Sequence, residues 1–242
     1  MDRMIYLSMA GAKAALQRQD LLAHNLANVA TPGFRAELTA FRAVPVRGDG
    51  ASTRVYALES TPGHSDAPGV VQATGRALDV AVAGGSWLTV QTLDGTEAYT
   101  RAGALELSAD GDLITRGGLR LLGEGGPITV PPGAQIDIAA NGTVSARTGS
   151  APPAPIGRLK LVTPQAPLLR GDDGLFRAAG DEPLDADPQA RVQQGALEGS
   201  NVAAVETLVA MIAAARQFEQ QMKLVQTAER NEQTAAKLLG SG

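Results

Sequence analysis

Residues 22–34 read LAHNLANVATPGF and mark the point at which a helix has to end. Thr31-Pro32-Gly33 supplies the stop, because proline disfavours helical geometry at the residue before it and glycine permits a turn. We therefore predict that Thr31, Pro32, Gly33 and Phe34 form a structural turn between a helix and a different kind of structure.

The chain before this turn has the pattern of an amphipathic helix. Apolar residues recur every three or four positions and form one seam, interrupted by the polar Gln19. The seam consists of Ile5, Met9, Ala12, Leu16, Ala23 and Leu26. All 14 prolines lie between Pro32 and Pro188. Because a proline inside a helix costs about 3 kcal/mol, both proline-free flanks are predicted to be helical.

The C-terminal flank carries a stronger helical pattern, of roughly 38 residues or roughly 57 Å. Ser200 or Asn201 is predicted to cap its start, and Gly240 its end. A heptad-like seam runs through Leu208, Met211, Ala215, Phe218, Met222 and Val225. Such a seam is also typical of a helix that packs on its own domain. A narrow seam nevertheless suits a helical partner better, and the other end of the chain supplies one.

The middle of the chain predicts a β-rich body, because short segments of alternating apolar residues are separated by turn dipeptides. The predicted strands are 78–82, 88–90, 105–107, 128–130, 136–138 and 159–161. The predicted turns are Asp94-Gly95, Asp110-Gly111, Gly117-Gly118 and Asn141-Gly142. The fold class is therefore α+β, with a mainly antiparallel β central domain flanked by N- and C-terminal helices that pair in a coiled-coil-like manner.

Composition removes most enzyme classes. The chain has no cysteine and two histidines, so thiolate metal sites, a cysteine nucleophile and a serine–histidine triad lack their residues. The net charge of −4 argues against a nucleic-acid partner, and no apolar run approaches the ~20 residues of a membrane span. The carboxylate pairs Asp172-Asp173 and Asp181-Glu182 fit solvated turns. We expect no enzyme activity, no cofactor, no metal, no nucleic-acid partner and no membrane insertion.

Nearly the whole chain resembles the bacterial flagellar rod and hook proteins, with the motifs in the family's order. Residues 22–34 are similar to the N-terminal signature, with Asn25-Leu26-Ala27-Asn28 and Gly33-Phe34 at its centre. The C-terminal signature is matched by Gly195–Val202, Val209–Ile212, Arg216 and Phe218-Glu219, and the central β domain by Thr74-Gly75, Leu78–Ala81 and Ala98–Gly103. Residues 1–11 and 87–91 look most like the proximal-rod members, and the large insertions of hook proteins are absent.

The resemblance implies a structural subunit of the basal-body rod, in which terminal helices of neighbouring subunits form a torque-transmitting inner tube. It implies an N-terminal assembly helix over 1–30, an extended connector over 31–69, a β-rich outer domain over 70–188 and a C-terminal assembly helix over 189–242. The expected assembly interface comprises Ile5, Met9, Leu16, Leu22, Asn25, Leu26, Asn28, Val29, Leu208, Met211, Ile212, Ala215, Phe218, Met222 and Val225.

The partners implied by the resemblance are copies of the chain itself, other proximal- and distal-rod proteins, and the flagellar type III export apparatus. The expected location is the periplasm-spanning rod, reached without a cleaved signal peptide. Two alternatives stay open. One is a distal-rod protein of the same family, and the other is an extracellular β binding module whose helices form an oligomerisation stalk.

The first testable prediction concerns the order of the two flanks. Burying five large seam side chains contributes on the order of 8–15 kcal/mol, whereas fixing about 40 backbones costs on the order of 40–80 kcal/mol before hydrogen bonds offset it. Limited proteolysis of the purified monomer should therefore leave a β core near residues 35–195 and remove the ends. Helices fully protected against hydrogen exchange in dilute monomer would contradict this expectation.

Overall fold

The computed structural model describes residues 2–38, 40–45, 55–59 and 63–240. Two helices, α1 (Asp2–Ala27) and α2 (Ala204–Gly240), lie at the two ends of the chain. The 37 residues of α2 correspond to about 55 Å of helix. In the described residues, neither helix is apolar over a stretch long enough to cross a bilayer.

Short strands fill the chain between the helices. The first ten described are β1 (Glu37–Leu38), β2 (Phe41–Pro45), β3 (Val55–Glu59), β4 (Gly63–His64), β5 (Val71–Ala73), β6 (Val80–Val82), β7 (Trp87–Gln91), β8 (Glu97–Thr100), β9 (Leu105–Leu107) and β10 (Leu113–Thr115). The others are β11 (Arg120–Gly123), β12 (Gly126–Pro127), β13 (Gln135–Ile138), β14 (Thr143–Arg147), β15 (Ala154–Arg158), β16 (Leu161–Val162), β17 (Leu169–Arg170), β18 (Phe176–Arg177), β19 (Val192–Gln194) and β20 (Ala196–Glu198).

By its internal contacts the described chain forms two compact units. The helical unit contains the described parts of residues 1–28, 37–63 and 202–242, and the β unit contains residues 29–36 and 64–201. In the helical unit, α1 packs against α2, and β2 pairs antiparallel with β3 from Phe41 opposite Glu59 to Pro45 opposite Val55.

The β unit is organised around one large antiparallel sheet. Its strand order is β17-β18-β8-β7-β11-β10-β9, with β12 paired to β11 and β16 paired to β7. A second sheet has the order β13-β14-β15, and the two-stranded pairs β19-β6 and β20-β5 complete the unit. The predicted α+β class, with a mainly antiparallel β region between two paired helices, is confirmed.

The predicted turns are confirmed by backbone geometry. The second residue of each predicted dipeptide has a positive φ, namely Gly95, Gly111, Gly118 and Gly142. These turns connect β7 to β8, β9 to β10, β10 to β11, and β13 to β14. Glycine occupies these positions because other residues pay a steric cost for a left-handed conformation.

Two predicted strands are less regular than the alternation suggests. Residues 128–130 make one isolated bridge, between Thr129 and Asp112. Two backbone hydrogen bonds form it, from the N–H of Leu113 to the carbonyl of Ile128 and from the N–H of Val130 to the carbonyl of Gly111. The 159–161 segment breaks at Lys160, between β15 and β16. The ammonium group of Lys160 binds both carboxylate oxygens of Glu97, at 2.8 and 2.9 Å.

The start of the C-terminal helix is later than predicted. Residues 192–194 and 196–198 form β19 and β20, separated by Gly195 with φ 73°, a conformation that no helix accommodates. Asn201 does not cap the helix, because its Oδ1 accepts a hydrogen bond from the backbone N–H of Ala36 at 2.7 Å. Helical structure therefore begins at Ala204.

Two groups of buried side chains form the core of the β unit. Aliphatic residues from both sheets form the larger group, whose members include Val80, Leu88, Val90, Leu105, Leu113, Leu121, Val144 and Leu161. Trp87, Tyr99, Val162, Leu168 and Phe176 form the smaller, aromatic group. The Tyr99 hydroxyl accepts a hydrogen bond from the N–H of Leu184 at 2.7 Å, and burial raises the pKa of Tyr99.

A close backbone approach at Gly103 generates the second prediction. A Cβ atom at this position would lie 1.7 Å from the carbonyl oxygen of Val80, so Gly103→Ala forces the backbone apart. We expect Gly103→Ala to lower the free energy of unfolding by about 1–3 kcal/mol, measured by urea denaturation.

Gly125→Ala is the matched control for this prediction. A Cβ at Gly125 meets no other atom within 4 Å, and we expect a change below about 0.5 kcal/mol. Equal effects of the two substitutions would show that the contact with Val80 is not the cause.

Candidate assembly site

The two terminal helices contact each other through small side chains. Apart from Asn25 near the end of α1, the buried residues among the described side chains are Ser8, Ala12 and Ala15 in α1, and Thr207, Ala214, Val225 and Ala228 in α2. Gly11 faces Gln221 so closely that a Cβ at Gly11 would lie 2.9 Å from the amide carbon. Small residues let the two helix backbones approach each other, which explains why they occupy the contact.

Several large apolar residues of the predicted assembly interface are exposed. Met9 is 56% exposed and Ile212 is 55% exposed, and Leu16, Leu208 and Met222 are exposed as well. The predicted seams lie partly in buried positions, since Ala12 and Val225 are buried, and partly on the exposed surface.

The other predicted residues of the helices are less exposed than these. Ile5, Leu22, Leu26, Met211, Ala215 and Phe218 are half-buried, and Val225 is buried. The side chain of Phe218 is therefore shared between the edge of the helix pair and solvent. It contributes to packing within the chain as well as to the surface outside it.

Asn25 and Asn28 hold the end of α1. Asn25 is buried, its Nδ2 donates to the carbonyl of Glu37 at 3.0 Å, and its Oδ1 accepts from the N–H of Glu37 at 2.9 Å. Asn28 donates from Nδ2 to the carbonyl of His24 at 3.0 Å. Both amides therefore bind backbone within the helical unit.

The predicted turn at residues 31–34 is present and belongs to the β unit. Val29, just before the turn, is half-buried. Gly33 has φ 72°, and its N–H donates to the carbonyl of Glu198 at 2.8 Å. Phe34 is buried, and the guanidinium of Arg170 lies 4.7 Å above the centre of its ring. Thr31 is exposed and Pro32 is half-buried.

Two buried arginines and one buried glutamate lie directly behind this turn. Arg35 and Arg101 are 3% exposed and Glu198 is 1% exposed. The Arg35 Nη1 lies 2.8 Å from the Glu198 Oε1, and the Arg101 Nε donates to Oε2 at 2.7 Å. We call these three residues the buried ion cluster.

The remaining hydrogen bonds of the cluster go to backbone. Arg101 donates to the carbonyls of Val82, Gly84 and Ser86. Arg35 donates to the carbonyl of Ala67 at 2.6 Å, and the N–H of Gly69 donates to the Glu198 Oε1 at 2.9 Å. The cluster thus joins five separate segments of the β unit.

Asn201 adds a second connection beside the cluster. Its N–H donates to the carbonyl of Phe34 at 3.3 Å, and its Nδ2 donates to the carbonyls of Ser65 and Ala67 at 3.1 and 2.8 Å. With the bond from Ala36 to its Oδ1, this side chain connects the segment after α1 to the segment before α2.

Charge and burial oppose each other at Arg35. Burial lowers the pKa of the guanidinium, the carboxylate of Glu198 raises it, and the second guanidinium, of Arg101, lowers it again. Glu198 is therefore the compensating charge on which both buried arginines depend.

Sequence reasoning assigned no ion pair to Arg35, Arg101 or Glu198, and it gave Asn201 only a possible role as a helix cap. A usable signal was present, since Arg101 directly follows β8 and Glu198 alternates with Ala196 in β20. Charged residues at inward-facing positions of a strand need a partner of opposite charge.

The described residues do not include a group of three or more His, Asp or Glu side chains that could hold a metal ion. The carboxylate of Asp173 accepts hydrogen bonds from Arg177, which lower the pKa of Asp173, so it is engaged in a turn.

The third prediction concerns the buried ion cluster. Glu198→Gln keeps the shape of the side chain but leaves two buried guanidinium groups without a counter-charge. We expect it to lower the free energy of unfolding by about 3–5 kcal/mol. Glu106→Gln, which removes the exposed partner of Arg116, is the control and should cost less than about 1 kcal/mol. Similar losses for the two variants in urea denaturation would contradict the assignment.

Three family descriptions match the chain in order. They are flagella basal body rod protein at residues 5–35, flagellar hook protein FlgE/F/G D1 domain at residues 81–146, and flagellar basal body rod FlgEFG protein C-terminal at residues 193–238. The buried ion cluster draws one residue from the first match, one from the second and one from the third.

Full-length relatives agree with these matches. The chain is 48% identical over 249 residues to flagellar basal-body rod protein FlgF of Salmonella typhimurium and 47% identical over 249 residues to that of Escherichia coli, with 99% of each chain covered. Flagellar basal-body rod protein FlgG of Agrobacterium fabrum is 32% identical over 253 residues, covering 94% of this chain and 95% of the relative. The FlgF type is thus favoured over the FlgG type and over a binding module, and the chain belongs to the flagellar basal-body rod proteins as a structural subunit of the rod.

Proposed function

We propose that this subunit is built into the rod through the apolar side chains that its own helix pair leaves exposed. The observation that carries the proposal is that small and large side chains occupy different surfaces of the two helices. Most of the buried residues of α1 and α2 are small, and several large apolar residues of both helices are exposed. In α2 the outward set includes Val205, Leu208, Val209, Ile212, Met222 and Leu224, and in α1 it includes Tyr6, Met9 and Leu16.

Exposed apolar side chains in this number favour a partner surface. Burying one large apolar side chain contributes about 1.5–3 kcal/mol, and contiguous apolar patches on soluble proteins mark interaction sites. A second helix pair offers the matching chemistry, since it carries the same outward residues. The partners are therefore copies of this chain and the related helices of other rod proteins.

The finer points of the proposal rest on the family. They are a position in the proximal rod across the periplasm, delivery by the flagellar type III export apparatus, and a purely structural role without catalysis. The proposed division into assembly helices and a β-rich outer domain belongs here as well. Torque passes along such a rod only if subunits are joined by stiff, buried contacts, and helix–helix seams supply them.

The fourth prediction separates assembly from folding. Ile212 is more exposed than Phe218, so Ile212→Asp changes the outer face with little effect on the helix pair. We expect Ile212→Asp protein to keep the wild-type circular dichroism and unfolding midpoint but to leave cells without complete rods and without motility, scored by microscopy of basal bodies and by swimming in soft agar.

Gln217→Asp is the matched control, since it adds the same charge at an exposed polar position on a different face of α2. Cells that carry it should swim. Normal swimming of cells that carry only Ile212→Asp would overturn the proposed interface.

A further inference from the structure

Four exposed apolar side chains lie together on the first turns of α2. Their spacing places them on one side of the helix, in the pattern with which amphipathic helices bind a partner. Two of them lie mostly in solvent, since Val205 is 74% exposed and Val209 is 62% exposed. We call this set the α2 patch, and its members are Val205, Leu208, Val209 and Ile212.

A second apolar patch lies on the first half of α1. Its members are Tyr6, Met9 and Leu16, each about half exposed, and we call them the α1 patch. The exposed Lys13 follows Met9 by four residues and precedes Leu16 by three, so it lies on the same side of the helix. The α1 patch therefore differs from the α2 patch in containing a positive charge.

The two patches lie at different levels of the helix pair. The N–H of Asn201, just before α2, donates to the carbonyl of Phe34, just after α1, whereas Gly11 faces Gln221 far from those ends. The two helices are therefore antiparallel. The α1 patch is centred near residue 11, level with residue 221, and the α2 patch is centred near residue 208. The difference of about 13 residues along α2 corresponds to roughly 19 Å.

An open assembly needs two different surfaces that bind each other, because a surface that binds only itself closes after two copies. The α1 and α2 patches supply two such surfaces on one chain. We propose that the α2 patch of one subunit binds the α1 patch of a second copy, displaced by roughly 19 Å along the helix axis. This inference rests on the assembly interface proposed above and adds its partner and its register.

The charges beside the patches fit this register. With the two patches centred on each other and the helices antiparallel, residue 208 of one copy lies opposite residue 11 of the other, and Glu206 lies opposite Lys13. Both residues are exposed, and neither forms an ion pair with a described side chain of its own copy. Pairing of two α1 patches would instead bring two Lys13 ammonium groups together, which is unfavourable.

Cysteine cross-linking tests the register, because the chain contains no cysteine of its own. Cells make two differently tagged chains, one with Met9→Cys and the other with Val209→Cys. Each chain then carries a single thiol, so every cross-link joins two copies. We expect a short bismaleimide to produce the mixed dimer in basal bodies isolated from cells that swim.

A second pair and a matched control accompany this experiment. Leu16→Cys with Val205→Cys tests the same register at another point and serves where the first pair impairs assembly. Lys223→Cys with Met9→Cys is the control, since Lys223 is an exposed residue of α2 level with Met9 of the same chain. It should give no mixed dimer, because roughly 20 Å separates the two thiols of neighbouring copies in the proposed register.

Charge reversal tests the contact between Lys13 and Glu206. Lys13→Glu in the Met9→Cys chain, or Glu206→Lys in the Val209→Cys chain, should lower the yield of mixed dimer by about 2- to 5-fold. Both reversals together should restore the yield. The two positions are exposed, so the circular dichroism of each purified variant should match that of the wild type.

Either of two results would contradict the register. One is the absence of both mixed dimers from basal bodies of swimming cells. The other is a dimer of two Val209→Cys chains in place of the mixed dimer, which would show that like patches bind each other. Both results leave the assembly interface proposed above in place, because that interface fails separately, when cells that carry only Ile212→Asp swim normally.

Discussion

The carboxylate of Glu198 is the group on which the architecture of the β unit depends. It neutralises two arginines that arrive from distant parts of the sequence, Arg35 after the first helix and Arg101 at the end of β8. The entry and the exit of the chain are therefore fixed to the same point of the unit. Buried ion pairs are expensive to form, and removing one partner is strongly destabilising because it leaves a buried charge uncompensated.

That geometry matters for a protein that belongs to a rotating rod. The ion cluster and Asn201 hold together the segment that follows α1 and the segment that precedes α2. The charge-assisted hydrogen bonds of this network are directional, so they fix residues 34–36 and 198–201 in one arrangement within the β unit.

The helix pair leaves two kinds of surface. Small residues, including Gly11, Ala12 and Ala214, lie where the two helices approach each other, and bulky residues such as Met9 and Ile212 are exposed. Under the proposed assembly, these exposed side chains are the ones available to another subunit.

The local pattern of the sequence determined the helices, the hairpin turns and the α+β class. Proline cannot enter a helix, glycine alone tolerates a left-handed backbone cheaply, and both rules act over a few residues. Tertiary structure decided the rest. The faces through which the helices contact each other depend on which surfaces fit closely, and Glu198 lies 97 positions from Arg101 and 163 positions from Arg35 in the sequence. Neither periodicity nor turn chemistry carries information over that distance, because such contacts exist only once the sheets have brought the residues together.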